Sequence, residues 1–137
     1  MADCIFCAIV TGNAPAQIVD SDEHTLAFMD INPATDGHAL VIPKAHAENI
    51  HDIDPDDIAA VMRGAQRLAD RMRTVLEPAG INLIQANGRA AFQTVFHFHM
   101  HVVPRYEGDA IKMPWIPAPG DPDRIASLAD RLRSTLG

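Results

Sequence analysis

The segment His97-Phe98-His99-Met100-His101 places three of the chain's seven histidines at every second position. An imidazole that is neutral near pH 7 is a nucleophile, a base or a metal ligand, while a neighbour that keeps its N–H can donate to an anion. Adjacent cations and burial both disfavour the charged form, so at least one of the three is expected to be neutral. That combination suits attack on phosphorus, where charge builds on the oxygens around the nucleophile. One such histidine could be plain surface polarity, which Thr or Lys would serve better; three in register are costly as decoration. The second candidate group is Cys4-Ile5-Phe6-Cys7, which holds the chain's only two cysteines. A pair so close in sequence cannot staple a fold. In a reducing compartment it reads as half a metal site or as a redox pair.

Alternation carries meaning only on a strand, where residues two apart share a face and are separated by roughly 6.6 Å. Residues 94–104 are therefore predicted as one long strand, with Phe96, Phe98, Met100 and Val102 facing the core and His97, His99 and His101 on the other face. A helix would send His99 away from its two neighbours. Upstream, Ile18-Val19 and Leu26 to Met29 form a predicted hairpin. The apolar run between Gly37 and Pro43 reads as a buried strand, and Ile81 to Asn87 as another. The longest helix is predicted from an Asp54 cap and Pro55, with Asp56 and Asp57 at the positive end of its dipole. Ile58, Val61, Met62, Ala65, Leu68, Ala69, Met72, Val75 and Leu76 recur at helical spacing until Pro78 and Gly80. A Pro-rich irregular tail containing Trp115 leads to a short helix from Asp121-Pro122, whose apolar side is Ile125, Leu128, Ala129, Leu132 and Leu136. Strand hairpins around one long helix predict an α+β fold: an antiparallel sheet of about five strands with one long and one or two short helices.

The length, 137 residues, suits one domain, and 47% apolar residues suffice for a core. With 18 acidic against 11 basic side chains the formal charge is -7, which argues against a non-specific nucleic-acid or anionic-membrane binder. No run is long enough to span a bilayer and no basic-then-apolar leader opens the chain, so a cytoplasmic protein is expected.

The segment HFHMHVV resembles the H-x-H-x-H-x-x signature of the histidine triad (HIT) family. The likeness extends to FMDINPATDGHALVIPKAH, to NGRAAFQTVFHFHMHVVPR and to CIFCAIV, which together cover most of residues 4–105. It implies a single HIT domain over residues 1–137, with its core at 4–105 and a C-terminal tail and helix at 106–137. It also implies a homodimer whose two sheets join, and a hydrolase or transferase acting at the α-phosphate of a purine nucleotide derivative. By that resemblance His99 would be the nucleophile that forms a nucleotidyl-histidine. His101 would contact the phosphate and help protonate the leaving group, and His38 would buttress the triad. Gln93 and Thr94 would hydrogen-bond the phosphate or the leaving-group oxygen, with Asn87 as a partial further contact. Asp30 would accept both ribose hydroxyls, which an ionised carboxylate can do. Phe6, Ile9, Phe28 and Ile31 would sandwich the base, although apolar contact alone discriminates bases poorly.

In a zinc-containing bacterial branch of the family the metal is held by positions matching Cys4, Cys7, His46 and His97. A closed set of four such ligands is structural and does not activate water. Two departures stand out. Ala86 occupies a place where relatives often carry Asn or Gln. Phe92 replaces a glycine often found before Gln93, and a ring there is expected to narrow the leaving-group channel. His24 and His51 receive no role. The alternatives are a nucleotide-binding regulatory module without significant turnover, and an interaction protein whose only site is a structural zinc.

Overall fold

The computed structural model describes residues 3–136; Met1, Ala2 and Gly137, and the side chain of Leu136, lie outside it. The elements run α1 (Ile5–Val10), β1 (Ile18–Ser21), β2 (Thr25–Met29), β3 (Ala39–Pro43), α2 (Pro55–Leu76), β4 (Gly80–Ile84), a 3₁₀ turn (Arg89–Ala91), β5 (Met100–Arg105) and α3 (Pro122–Leu136). The five strands form one sheet in the order β1-β2-β3-β5-β4, and every neighbouring pair is antiparallel. This is the α+β architecture predicted from the sequence.

The central strand explains the layering. All five residues of β3 are buried, so both faces of the sheet must be covered. Ala39 and Val41 point into a cluster with Val61, Ala65, Leu68 and Met72 of α2. Leu40 and Ile42, on the opposite face, join Leu26 and Phe28 of β2 with Phe6 and Ile9 of α1. The period-two alternation of β2 and β3 thus sorts one apolar run into two cores.

Helix α2 starts as its sequence specifies: the Asp54 side chain accepts from the Asp56 N–H at 2.8 Å and Pro55 follows. It lies close on the sheet because Gly64 has no side chain; a Cβ there would meet Val41 Cγ1 at 3.0 Å. Its buried stripe is narrower than predicted. Met62 is 44% and Val75 75% exposed, on flanks that no other element covers among the described residues. The apolar side of α3 is exposed too, with Ile125 at 58% and Leu132 at 66%. No helix is long and apolar enough to cross a membrane among the described residues.

The histidine strand is shorter than predicted. β5 begins only at Met100, and its ladder with β3 runs from Ala39↔Val102 to Val41↔Met100. Towards its end β3 reaches Pro43, which has no N–H to offer. The Phe98 N–H bonds instead to the Ala47 carbonyl at 2.7 Å, in the loop after β3. Residues 94–99 are therefore extended or bent chain outside the sheet. Phe98 and Val102 are buried in the core against α2, as expected. Phe96 is not: it is half-buried, with the Arg89 guanidinium 5.5 Å from its ring centre.

Candidate active site

All three triad imidazoles nevertheless lie on the α1 side of the sheet. His101 sits on β5 opposite Leu40 of that face. Phe6 of α1 meets His97 and His99 edge-on, with ring centres 5.9 and 5.2 Å apart. His97 is fully buried and His99 only 5% exposed, so the polar face of this segment is an interior one.

Hydrogen bonds fix the protons. His99 Nδ1 lies 2.7 Å from the His97 carbonyl, which can only accept, so Nδ1 carries the hydrogen and Nε2 keeps its lone pair. The Ala34 N–H donates to His38 Nδ1 at 2.9 Å, leaving the His38 hydrogen on Nε2. That Nε2 is 2.9 Å from His101 Nδ1. His101 Nδ1 therefore accepts, and its own hydrogen is on Nε2. The site thus holds one imidazole with a bare Nε2 beside one with an Nε2–H, their ring centres 4.9 Å apart.

Burial dominates the titration of this group. It pushes His38, His97 and His99 below the ordinary imidazole value. His101 falls to about 4, from burial first and then from His99 and His38 beside it. Asp30 pulls the other way on His38, His99 and His101. Its carboxylate is 3.5 Å from His38 Nε2.

Asp30 is placed where β2 ends. Its N–H bonds to the His38 carbonyl at 3.1 Å, and one carboxylate oxygen accepts from the Asn32 N–H at 2.7 Å. The loop that carries it is tied to the end of β5 by Thr35 Oγ1 donating to Pro104 O and the Tyr106 hydroxyl to Asp36 O, both at 2.6 Å. Gly37, at φ +93°, makes the approach possible, since a Cβ there would meet Pro104 Cγ of β5 at 3.1 Å.

A cavity of about 380 Å³ opens between α1, the end of β2 and the triad. His99, His101, Asp30 and Thr94 supply its polar wall, and Phe6, Ile9 and Phe28 its apolar one. Those three apolar side chains are core as well, each less than 10% exposed, whereas Ile31 at the mouth is 90% exposed. An apolar slot next to a carboxylate, with His99 and His101 in the same wall, can hold a flat ring, paired hydroxyls and an anion.

Two predicted contacts are turned elsewhere. The Gln93 amide donates to the Glu48 carbonyl (2.7 Å) and the Val95 carbonyl (3.1 Å) and accepts from the Gly88 N–H (2.7 Å). Asn87 Oδ1 accepts from the Ile50 N–H at 2.8 Å, and its amide pairs with Gln85. Both clamp the loop after β4 to the loop after β3, and neither lines the cavity. Ala86 is half-buried in the same loop. Phe92 does not plug a channel: it stands 88% exposed.

The second site lies behind the triad. Cys4 Sγ, Cys7 Sγ, His46 Nδ1 and His97 Nδ1 all fall within 4.8 Å of one another. His97 Nδ1 is 3.3 Å from Cys4 Sγ, 3.6 Å from Cys7 Sγ and 3.2 Å from His46 Nδ1; Cys7 Sγ is 3.4 Å from His46 Nδ1. Zinc bonds of about 2.3 Å to sulfur and about 2.0 Å to nitrogen, at tetrahedral angles, put neighbouring ligands roughly 3.3–3.8 Å apart. The His97 tautomer also fits: its Nε2 lies 2.8 Å from the Pro43 carbonyl and so carries the hydrogen, aiming the Nδ1 lone pair at the sulfurs. Without a cation, burial and the adjoining Cys4 push the Cys7 thiol up.

Residues 11–108 match the HIT domain family. The chain is 41% identical to Protein hit of Bacillus subtilis, over 97% of each chain. It belongs to the HIT family. A HIT relative with a named activity, the adenosine 5'-monophosphoramidase hnt1 of Schizosaccharomyces pombe, is 35% identical over 97% of this chain and 98% of its own. Among solved structures, a Zn-bound histidine triad family protein from Mycobacterium smegmatis superposes with a TM-score of 0.78 at 42% identity, covering 97% of this chain and 98% of that one.

In this HIT chain some functional groups left no trace in the sequence reading because they are backbone atoms. The carbonyls of His97 and Pro43 and the N–H of Ala34 select three tautomers, yet any residue could supply them. Ala14 and Ala16 also line the cavity. Their signal was only the small, turn-forming GNAPA stretch.

Proposed function

We propose that this HIT protein hydrolyses, or transfers the nucleotidyl group of, purine nucleotide conjugates by attack of His99 on the α-phosphorus. The observation that carries the reading is the 2.7 Å contact of His99 Nδ1 with the His97 carbonyl, which leaves Nε2 unprotonated in the wall of the cavity. The base lies between Phe6, Ile9, Phe28 and Ile31, and Asp30 accepts from the ribose hydroxyls. Nε2 forms the bond to phosphorus as the P–N or P–O bond to the leaving group breaks. The electron pair departs on the leaving atom, which takes up a proton from solvent. His101 Nε2–H and Thr94 hydrogen-bond the phosphate oxygens, and His38 keeps His101 in that tautomer. Water then attacks the phosphorus and loses its proton to solvent as the P–N bond to His99 breaks, returning the electron pair to Nε2 and freeing the nucleoside monophosphate.

Zinc, held by Cys4, Cys7, His46 and His97, supplies a cross-link between α1 and the segment that carries His99 when bound. The functional unit is a homodimer joined at β4. That strand is a free sheet edge, with Leu83 42% and Ile84 48% exposed beside Met62 of α2. An apolar edge of this kind demands a cover.

The test uses adenosine 5'-phosphoramidate. Wild-type protein quenched without acid during turnover carries a nucleotidyl adduct by intact mass, and His99→Ala shows neither adduct nor turnover while still binding AMP. Turnover by His99→Ala refutes the mechanism. Binding without turnover by the wild type makes the protein a regulatory module.

A further inference from the structure

The four residues of the Cys/His cluster differ in how they are held. His46 and His97 come from separate segments of chain, whereas Cys4 and Cys7 stand one turn apart at the start of α1. The Ala8 N–H bonds to the Cys4 carbonyl at 3.0 Å and closes that turn. One helical turn sets two Cα atoms about 5 Å apart, inside the span of about 4.4–6.8 Å that a disulfide bridges. The Cys4 side chain is already folded back over the turn, its Sγ accepting from the Cys7 N–H at 3.3 Å. The two sulfurs lie within 4.8 Å of each other, and both face His97 Nδ1, at 3.3 and 3.6 Å. Side-chain rotation alone can join them, with the helix unbroken.

The pair is also within reach of a reagent. Neither cysteine is fully buried. A cavity of about 500 Å³ is lined by Cys4, His46 and Glu48, and neither His99 nor Asp30 is in its wall. A small molecule can therefore meet Cys4 without passing the triad. Cys7 does not line that cavity. An accessible cysteine with a second one poised behind it is the arrangement in which the first reacts and the second resolves.

The consequence runs through α1. Phe6 lies between the two cysteines, its ring centre 5.3 Å from that of Phe28 and 5.2 Å from that of His99. Phe6 and Ile9 also wall the cavity that holds His99 and Asp30. Cysteines shared with zinc cross-link that wall to His46 and His97. Cysteines joined to each other keep the turn of α1 but give up the cross-link.

We propose that Cys4 and Cys7 form a thiol–disulfide switch that releases zinc and loosens the α1 wall of the nucleotide cavity. This rests on the ligand set and the nucleotide reading given above. The oxidant is a low-molecular-weight disulfide. Cys4 Sγ attacks one of its sulfurs, forming a mixed disulfide and expelling one thiolate. Cys7 Sγ then attacks the Cys4 sulfur, forming the Cys4–Cys7 bond and expelling the second thiolate. Two electrons have passed from the cysteines to the reagent. His46 and His97 alone are half a site, and the dication leaves.

The experiment treats the zinc-loaded full chain with glutathione disulfide and follows intact mass, free zinc and AMP binding. The chain becomes lighter by two hydrogens and zinc is released in step. AMP then binds about five- to tenfold more weakly, the size of an aromatic contact such as that of Phe6. Dithiothreitol with added zinc reverses all three changes. Cys7→Ser stops at the mixed disulfide and is heavier by one glutathione. Reduced protein that takes up no zinc overturns the ligand set and the switch together, and reduced protein that binds no AMP overturns the nucleotide reading and the switch together. Protein that binds both overturns the switch alone if it keeps its zinc against the oxidant, loses zinc without a Cys4–Cys7 bond, or forms that bond with AMP affinity unchanged.

Discussion

Acidification separates the chemistry of this site from that of ordinary histidines. An exposed imidazole with a pKa of 6.5 is about 97% protonated at pH 5 and would lose roughly thirtyfold of a rate that needs it neutral. His101 lies at about 4. At pH 5 only about a tenth of it is protonated. Its neutrality matters because a proton on Nδ1 would face the Nε2–H of His38 across 2.9 Å. Burial holds His99 and His38 below the ordinary value as well. Between pH 7 and pH 5, kcat/KM for adenosine 5'-phosphoramidate should therefore fall by clearly less than the roughly thirtyfold of an exposed imidazole, measured per folded molecule and after subtraction of spontaneous hydrolysis. Stability moves the opposite way. The folded-state pKa of His101 is depressed, so its contribution is complete above 6.5 and is lost as the pH falls towards 4, where the unfolded chain takes up a proton that the folded chain refuses. His101 alone costs about 2 kcal/mol between pH 7 and pH 5. The protein should thus become less stable in acid while each folded molecule keeps more of its activity than an exposed imidazole would allow. A descending limb centred near 6.5 would refute the buried, neutral triad.

Three other perturbations probe separate parts. Cys7→Ser should reduce the zinc content from about one per chain to almost none and lower Tm by about 10 °C, while zinc loading of metal-free wild-type protein should release protons; equal zinc in both proteins argues against the ligand set. Asp30→Asn should raise KM for adenosine conjugates about tenfold or more, the loss of charge-assisted bonds to the ribose, with a far smaller change in kcat; an unchanged KM removes Asp30 from the ribose site. Leu83→Lys, placing a charge on the exposed β4 edge, should turn a dimer into a monomer by light scattering, and a persisting dimer moves the interface elsewhere.

What could be read from the residues alone follows the physics of each signal. β2 and β3 were legible because a strand covered on both faces needs apolar residues without interruption, and α2 because its cap, its proline and its stripe agree. The spacing of Cys4 and Cys7 left a metal half-site and a redox pair open; only folding brings His46 and His97 to the same point. The histidine segment was overextended in the reading for a specific reason. Alternation continues from Phe96 to Val102 in the sequence, but a ladder also needs a partner strand. β3 turns away at Pro43, and the alternating pattern outlasts the sheet that would use it.

That mismatch bears on function. Were residues 94–99 in the ladder, the His97 carbonyl would be committed to a neighbouring strand. Released from the sheet, it accepts from His99 Nδ1 instead. The Phe98 N–H is taken by Ala47, which fixes the released segment in place without spending that carbonyl. His97 then works in two directions, its ring aimed at the cysteines and its backbone carbonyl at the Nδ1–H of His99. The ring proposed as a metal ligand and the tautomer of the proposed nucleophile two residues on are therefore set by one residue, so loosening the Cys4–Cys7 end should disturb His99 although none of Cys4, Cys7, His46 and His97 lines the cavity that His99 lines.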